Sequence, residues 1–207
     1  YSIHRGNFRL EQDGILCCEF SEGTGLGFTA GLRMFLPLGK RWYLSPRLGY
    51  TRHVGEFSAS SELFPFRGLD DSVELMRFDE ELSAPLPTVA ADLIWLYQID
   101  SALGLYLTAG PSFEYLPEAV FTKTERIPGP EGLTFLDGTT ERIQEVDFSV
   151  AAAEAVISGR AGVAMIYPVT DFLFLNPEIS VSLPVSVVSG EWRMFAVQAT
   201  LGIGLGI

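Results

Sequence analysis

Alternation with a period of two is the feature of this sequence that most narrows its fold. In residues 103–115 the odd positions are Leu103, Leu105, Leu107, Ala109, Pro111, Phe113 and Tyr115, and the even ones Gly104, Tyr106, Thr108, Gly110, Ser112 and Glu114. Side chains of a strand point alternately to its two faces, so one face here suits hydrocarbon and the other is small or polar. Residues 195–207 repeat the pattern, with Phe195, Val197, Ala199, Leu201, Ile203, Leu205 and Ile207 against Ala196, Gln198, Thr200 and glycine. Residues 25–36, 42–52, 153–167 and 172–183 follow it, and 88–98 does so more weakly. Residues 1–8 are taken as the first strand. That makes eight.

The connections alternate in length. Short turns are expected near 38–41, 100–102 and 168–171. Longer loops are expected near 9–24, 53–84 and 116–151, with a brief connection near 185–191. Short turns on one side and long loops on the other, with an even strand number, is the connectivity of an outer-membrane barrel. The expectation is all-β: one domain over residues 1–207, an eight-stranded antiparallel up-and-down transmembrane β-barrel with both termini periplasmic.

The bulk numbers fit apolar residues placed at every second position. Hydrophobic residues make up 47% of the chain despite a net charge of −12. Yet no run of about 18 apolar residues, the length a membrane helix needs, is present. The most apolar stretches, 150–167 and 192–207, are broken by Glu154, Arg160, Gln198 and several glycines. The chain opens at Tyr1 without the charged start and apolar segment of a secretory signal, and reads as a mature or trimmed product. The neighbouring Cys17 and Cys18 leave a vicinal disulfide, a bond to another chain and two free thiols all open. They do not suit a metal site.

Aromatic residues fall at both ends of the strands. Trp42, Tyr43, Trp95, Tyr97, Tyr167 and Phe172 lie beside the short turns, and Tyr50, Phe113, Tyr115, Trp192 and Phe195 toward the opposite ends. Two belts of amphipathic rings are what two membrane interfaces attract. Charge is placed to match: of 26 acidic residues, eight lie in 53–84 and eight in 114–147, and the outward faces of the expected strands carry none in their middle.

The lumen is expected to hold Arg33, Arg47, Asp92, Glu114, Glu154, Arg160 and Glu178. Counting from the short turns puts Arg47, Asp92, Arg160 and Glu178 at similar heights. Two ion pairs, Arg47–Asp92 and Arg160–Glu178, or one merged network, should cross the barrel, because buried charges must be paired. Such a network either plugs the barrel or gates a pore. The acidic residues Asp70, Asp71, Asp79, Glu80 and Glu81 are read either as a solvated loop or as oxygen ligands for a divalent cation. Leu63, Phe64, Pro65, Phe66 and Leu69 either dock a partner or pack within the loop.

The runs Gly25-Leu-Gly-Phe-Thr-Ala-Gly-Leu-Arg-Met-Phe-Leu-Pro-Leu38 and Tyr43-Leu-Ser-Pro-Arg-Leu-Gly-Tyr50 resemble the outer-membrane β-barrel domain of the Bacteroidetes–Chlorobi type. Residues 109–113, 134–138 and 175–178 add to the likeness, and the eight-stranded layout is similar to the transmembrane domain of outer membrane protein A. The resemblance covers nearly the whole chain as a pattern of strands and turns. It implies an outer-membrane location with lipid and lipopolysaccharide as surroundings. Such barrels are often followed by a peptidoglycan-gripping domain, whose activity is not expected of a chain stopping at Ile207.

Function is expected to be structural or anchoring, through a barrel plugged by its own side chains, with other envelope proteins as partners in a larger complex. A small or gated pore, and surface recognition through the long acidic loops, are the alternatives. Catalysis is not expected, since His4 and His53 lie near no serine nucleophile motif. No cofactor or metal is called for, and a pI near 4.5 without a basic stripe disfavours nucleic acid.

Overall fold

The computed structural model describes residues 1–12, 15–61, 64–67, 73–117, 119–129, 133–135, 137–147 and 154–205. All its elements are strands: β1 (Ser2–Gln12), β2 (Ile15–Gly25), β3 (Phe28–Arg33), β4 (Leu36–Pro37), β5 (Trp42–Ser60), β6 (Phe64–Arg67), β7 (Val73–Met76), β8 (Asp79–Asp100), β9 (Leu105–Tyr115), β10 (Val120–Arg126), β11 (Glu141–Asp147), β12 (Ala155–Met165), β13 (Tyr167–Pro168), β14 (Leu173–Pro184) and β15 (Arg193–Leu205). Every pairing is antiparallel. The ladder runs β5–β8–β9–β12–β14–β15–β1–β2 and returns to β5, a ring of eight strands. β3 and β4 carry on the line of β2 beside β5. β10 and β11 join β8 beyond the end of β9, and β6 with β7 forms a separate hairpin.

Two of the short turns are held by side-chain caps. Asp100 Oδ1 accepts from the backbone N–H of Ala102 at 2.7 Å and of Leu103 at 3.0 Å. Thr170 Oγ1 does the same for Leu173 at 3.0 Å. These are Asx- and Ser/Thr-type turns, in which a short side chain stands in for a backbone acceptor. Gly104 closes the first of them at φ 59°, and an added Cβ would sit 2.2 Å from the Ile166 carbonyl oxygen.

Two of the expected loops are largely strand, and the third is so in part. β1 and β2 pair out to Gln12 and Ile15, so 9–24 is hairpin rather than loop. β5 continues to Ser60 against β8 from Asp79, and β10 and β11 occupy much of 116–151. The reason is a change of polarity within single strands. Along β8, residues 80–88 bury Glu80, Leu82, Ala84, Leu86 and Thr88, while Glu81 is exposed. From Val89 onward the outward side chains are Val89, Leu93 and Trp95, all exposed, and Asp92 is buried. β5 changes in step, with Phe57 in and Glu56 out above, and Arg47 in and Leu48 and Tyr50 out below. A search for one polarity along a strand stops where the sense inverts. Pro85 and Pro87 sit where β8 has no second neighbour: pairing with β10 ends at Ser83 and with β9 begins at Val89. Their missing N–H groups therefore cost no ladder bond.

The ring closes unevenly. β1 meets β15 over Ser2–Arg5, and Val197 and Tyr1 exchange one further pair of bonds. Below that rung, among the described residues, β3 pairs only with β5, and residues 198–205 pair only with β14.

Candidate functional site

The interior has three layers. At the long-connection end Trp192, Phe20, Phe57, Phe121, Leu82 and Leu86 form an apolar core, each at most 2% exposed. Phe57 and Trp192 meet edge-on at 5.4 Å between ring centroids. The Trp192 indole N–H donates to His4 Nδ1 at 3.1 Å, so His4 Nε2 carries the proton donated to the Val54 carbonyl at 2.9 Å. At the short-turn end Ile94, Leu96 and Tyr106 pack with Phe35, Tyr43 and Ile166. Between these apolar layers lies the charge.

Glu178 of β14 is the hub of one half. Arg47 of β5 donates to it through both terminal nitrogens at 2.8 Å, and Arg33 of β3 adds a third bond at 2.9 Å. Arg33 also reaches Asn176. Asp92 of β8 is the hub of the other half, taking Arg160 of β12 at 2.8 Å and the Ser112 hydroxyl at 2.6 Å. Arg160 bridges onward to Glu114 at 3.8 Å. Glu114 accepts from His53 Nε2 at 2.9 Å and from Thr88 at 3.3 Å, and Ser2 Oγ lies 3.2 Å from His53 Nδ1. Charge-assisted, partly bidentate bonds of this kind are the strong ones in a low-dielectric interior.

The expected pairs Arg47–Asp92 and Arg160–Glu178 are replaced by crossed ones. Arg47 and Asp92 are direct ladder partners, but the longer side chains span the lumen rather than turn to the neighbouring strand. Arg33, Arg47, Asp92, Glu114, Arg160 and Glu178 come together as six members of one interior. Glu154 does not join them: it is exposed at the mouth of β12, where its backbone carbonyl accepts from Leu116 N–H. The Ser2–His53–Glu114 series was not visible in the sequence, because its members lie on three strands distant along the chain. Serine, histidine and carboxylate in series is the chemistry of an activated nucleophile, but Ser2 is 2% exposed and offers almost no surface to a substrate. Here the series ties β1, β5 and β9 together.

The proposed cation loop is divided. Asp70 and Asp71 lie outside the described residues, as do Leu63 and Leu69. Asp79, Glu80 and Glu81 belong to β8, not to a loop, and their side chains diverge: Glu80 is buried within 3.5 Å of Lys123 Nζ, Asp79 accepts from Ser60, and Glu81 faces out. Glu80 points to the opposite face of the strand from Asp79 and Glu81 and cannot share an ion with them. No group of three or more potential metal ligands occurs among the described residues.

Most of the aromatic residues expected at the two strand ends are exposed or half-buried there, with two exceptions. Trp42, Trp95 and Tyr167 are exposed at the short-turn end, and Tyr97 is half-buried with its ring 4.9 Å from that of Trp42. Tyr50, Phe113 and Tyr115 are exposed at the other end, with Phe195 half-buried. Trp192 instead lies wholly inside and Tyr43 packs in the lower apolar layer. Tyr50 and Tyr115 both flank Val89, and Trp42 flanks Tyr97, so eight residues of β8 separate the belts. At about 3.3 Å per residue that is about 26 Å along the strand.

No family model, curated protein or solved structure matches this chain.

Proposed function

We propose that the chain is a β-barrel of the bacterial outer membrane that anchors or supports an envelope assembly, its lumen plugged by its own side chains. One observation carries this reading: the inversion of polarity within β5 and β8. Above the inversion, Leu82, Leu86 and Phe57 face in and Glu56 and Glu81 face out, as water demands, with Glu80 buried beside Lys123. Below it, Leu32, Leu48, Leu93, Leu107, Val163, Ile179 and Leu201 are exposed around a charged interior. Large exposed apolar surfaces mark contact with something apolar, and a band encircling the ring between two aromatic belts fits lipid. A steeply tilted strand turns the belt separation of about 26 Å into about 20 Å of membrane thickness, close to the apolar band of known barrels.

The plug follows from the layers. Two apolar layers flank six interlocked charged side chains, which reach across the inside of an eight-stranded ring narrow enough for side chains to block. Lipid and lipopolysaccharide are then the immediate surroundings, and the upper strands of β5, β8, β10 and β11 rise beyond the bilayer, where other envelope proteins would meet them. Reconstitution tests the reading. The refolded protein is expected to float with lipid vesicles in a density gradient and to leave a planar bilayer without steady current. A protein monodisperse in plain buffer would overturn the membrane assignment. Steady conductance at the single-protein level would replace the plug with a pore.

A further inference from the structure

The wall of the ring has a slot between β3 and β15. Two cavities line up along it. The upper, of about 340 Å³, is bordered by Tyr1, Ser2, Phe28, Thr29, His53 and Val197. The lower, of about 380 Å³, is bordered by Leu32 and Leu201 at the outer surface and by Arg33, Arg47, Asp92 and Arg160 within. The facing edges of β3 and of residues 198–205 have no strand partner among the described residues. Hydrocarbon offers their N–H and C=O groups nothing, which is why membrane-spanning sheets close without edges.

We propose that this slot is filled, in the membrane, by an extended peptide strand joined to the Tyr1 nitrogen and continuing the line of β1. The inference rests on the membrane reading given above. Three observations specify the occupant. Its direction is fixed, because β1 is antiparallel to both β2 and β15, and a strand continuing it meets both edges in the orientation already used. Its register is fixed too. Ser2 stands opposite Ala196 and Gly25, so each residue further back advances one place, and about eight residues face 198–205 on one side and 27–34 on the other. The ladder is already poised for it: the Tyr1 amino group donates to the Val197 carbonyl at 2.9 Å, a bond that a peptide N–H makes equally well.

Its composition follows from what lines the slot. Ser2 faces in and Tyr1 out, so the residue joined to Tyr1 faces the lumen and every second one with it. There, Arg33 Nε and Nη2, Arg47 Nε, and Arg160 Nε and Nη2 are buried donors without a hydrogen-bond acceptor. Inward positions of the strand therefore carry oxygen acceptors (Asp, Glu, Asn, Ser or Thr), and outward positions are apolar. A strand of that alternation completes both the ladder and the charge network.

Cross-linking from both edges of the slot tests this in cells expressing the full gene. Ala30→Cys on β3 and Ala199→Cys on β15 replace exposed side chains, and each is coupled to a short thiol-reactive photo-cross-linker. Both are expected to capture the same peptide, lying ahead of Tyr1 in the same polypeptide, identified by mass spectrometry. Capture of a different polypeptide from both edges, or of each edge by the other, would overturn the proposal. Flotation of the same membranes is scored separately. A protein that floats without the cross-link fails the strand alone, and one that gives the cross-link without floating fails the membrane reading alone.

Discussion

Arg47 stands directly opposite Asp92 in the β5–β8 ladder, yet its guanidinium crosses the lumen to grip both oxygens of Glu178, at 2.8 Å each. Neighbouring strands bring their Cβ atoms to about 5 Å, too close for an extended arginine to meet an aspartate head-on. The far wall is at a better distance. The crossed arrangement joins β5 to β14 on the opposite side of the ring, and β12 to β8 past the intervening β9, so the charges brace the ring as well as satisfying one another.

Removal of the hub follows from that geometry. Glu178→Ala strands Arg33 and Arg47 together, and an uncompensated buried charge costs about 3–5 kcal/mol. The urea midpoint of the vesicle-bound protein is expected to fall accordingly. Adding Arg47→Met to Glu178→Ala should recover part of the loss, because it removes one of the stranded charges. A Glu178→Ala protein as stable as the parent would show that water already satisfies both arginines.

The polarity inversion is tested by one substitution made at two heights on β5. Leu48→Arg faces outward between the aromatic belts and is expected to cost about 2–4 kcal/mol in a bilayer. Ser58→Arg faces outward above the inversion and should change stability by less than about 0.5 kcal/mol. Equilibrium folding into vesicles measures both. Equal costs at the two positions would place the whole strand in one medium.

How much of this the sequence reveals depends on where a residue sits relative to the inversion. Between the belts the alternation is unbroken, so Leu93, Leu107 and Leu201 can be placed outside, and Arg47, Asp92, Arg160 and Glu178 inside, from spacing alone. Above it the same periodicity persists with the faces exchanged. Leu82 and Phe57 then look like stray apolar residues in an acidic loop, when they belong to a buried apolar core. Trp192 misleads in the same way, since an aromatic near a strand end reads as a belt residue and the bonds that draw it inward come from His4. Pairing partners across the lumen are beyond reach, because strand register is legible and side-chain reach across a ring is not.

The upper apolar layer makes its own prediction. Trp192→Ala removes a fully buried ring that Phe57, Phe121 and His4 pack against, and losses of about 3–5 kcal/mol are typical of such a cavity. Trp192→Phe keeps most of the volume but leaves His4 Nδ1 without its donor, at a cost of about 1–3 kcal/mol. Denaturation of the two variants should rank them in that order. Equal losses would make the bond to His4, which both variants lack, rather than the packing, the dominant contribution.

Acid should loosen one turn before it disturbs the ring. Asp137 Oδ1 accepts from the Thr139 hydroxyl at 2.7 Å and from its backbone N–H at 3.0 Å, and Arg142 Nε lies 3.6 Å from the other oxygen. The hydrogen bonds from Thr139, with Arg142 adding a smaller attraction, hold the carboxyl below its ordinary value of 3.8. A depressed folded-state pKa means the turn's stabilisation is complete above that ordinary value and is lost as pH falls through the lowered one. The turn also carries Phe135, stacked on Phe78 at 5.7 Å with the Arg142 guanidinium 4.1 Å from its ring centroid. Amide exchange at Thr139 and Gly138 should therefore quicken below about pH 3.8 while the amides of β8 and β9 stay protected. Asp137→Asn, which accepts the same bonds without titrating, should abolish that step. If the step persists in Asp137→Asn, another acid controls the turn.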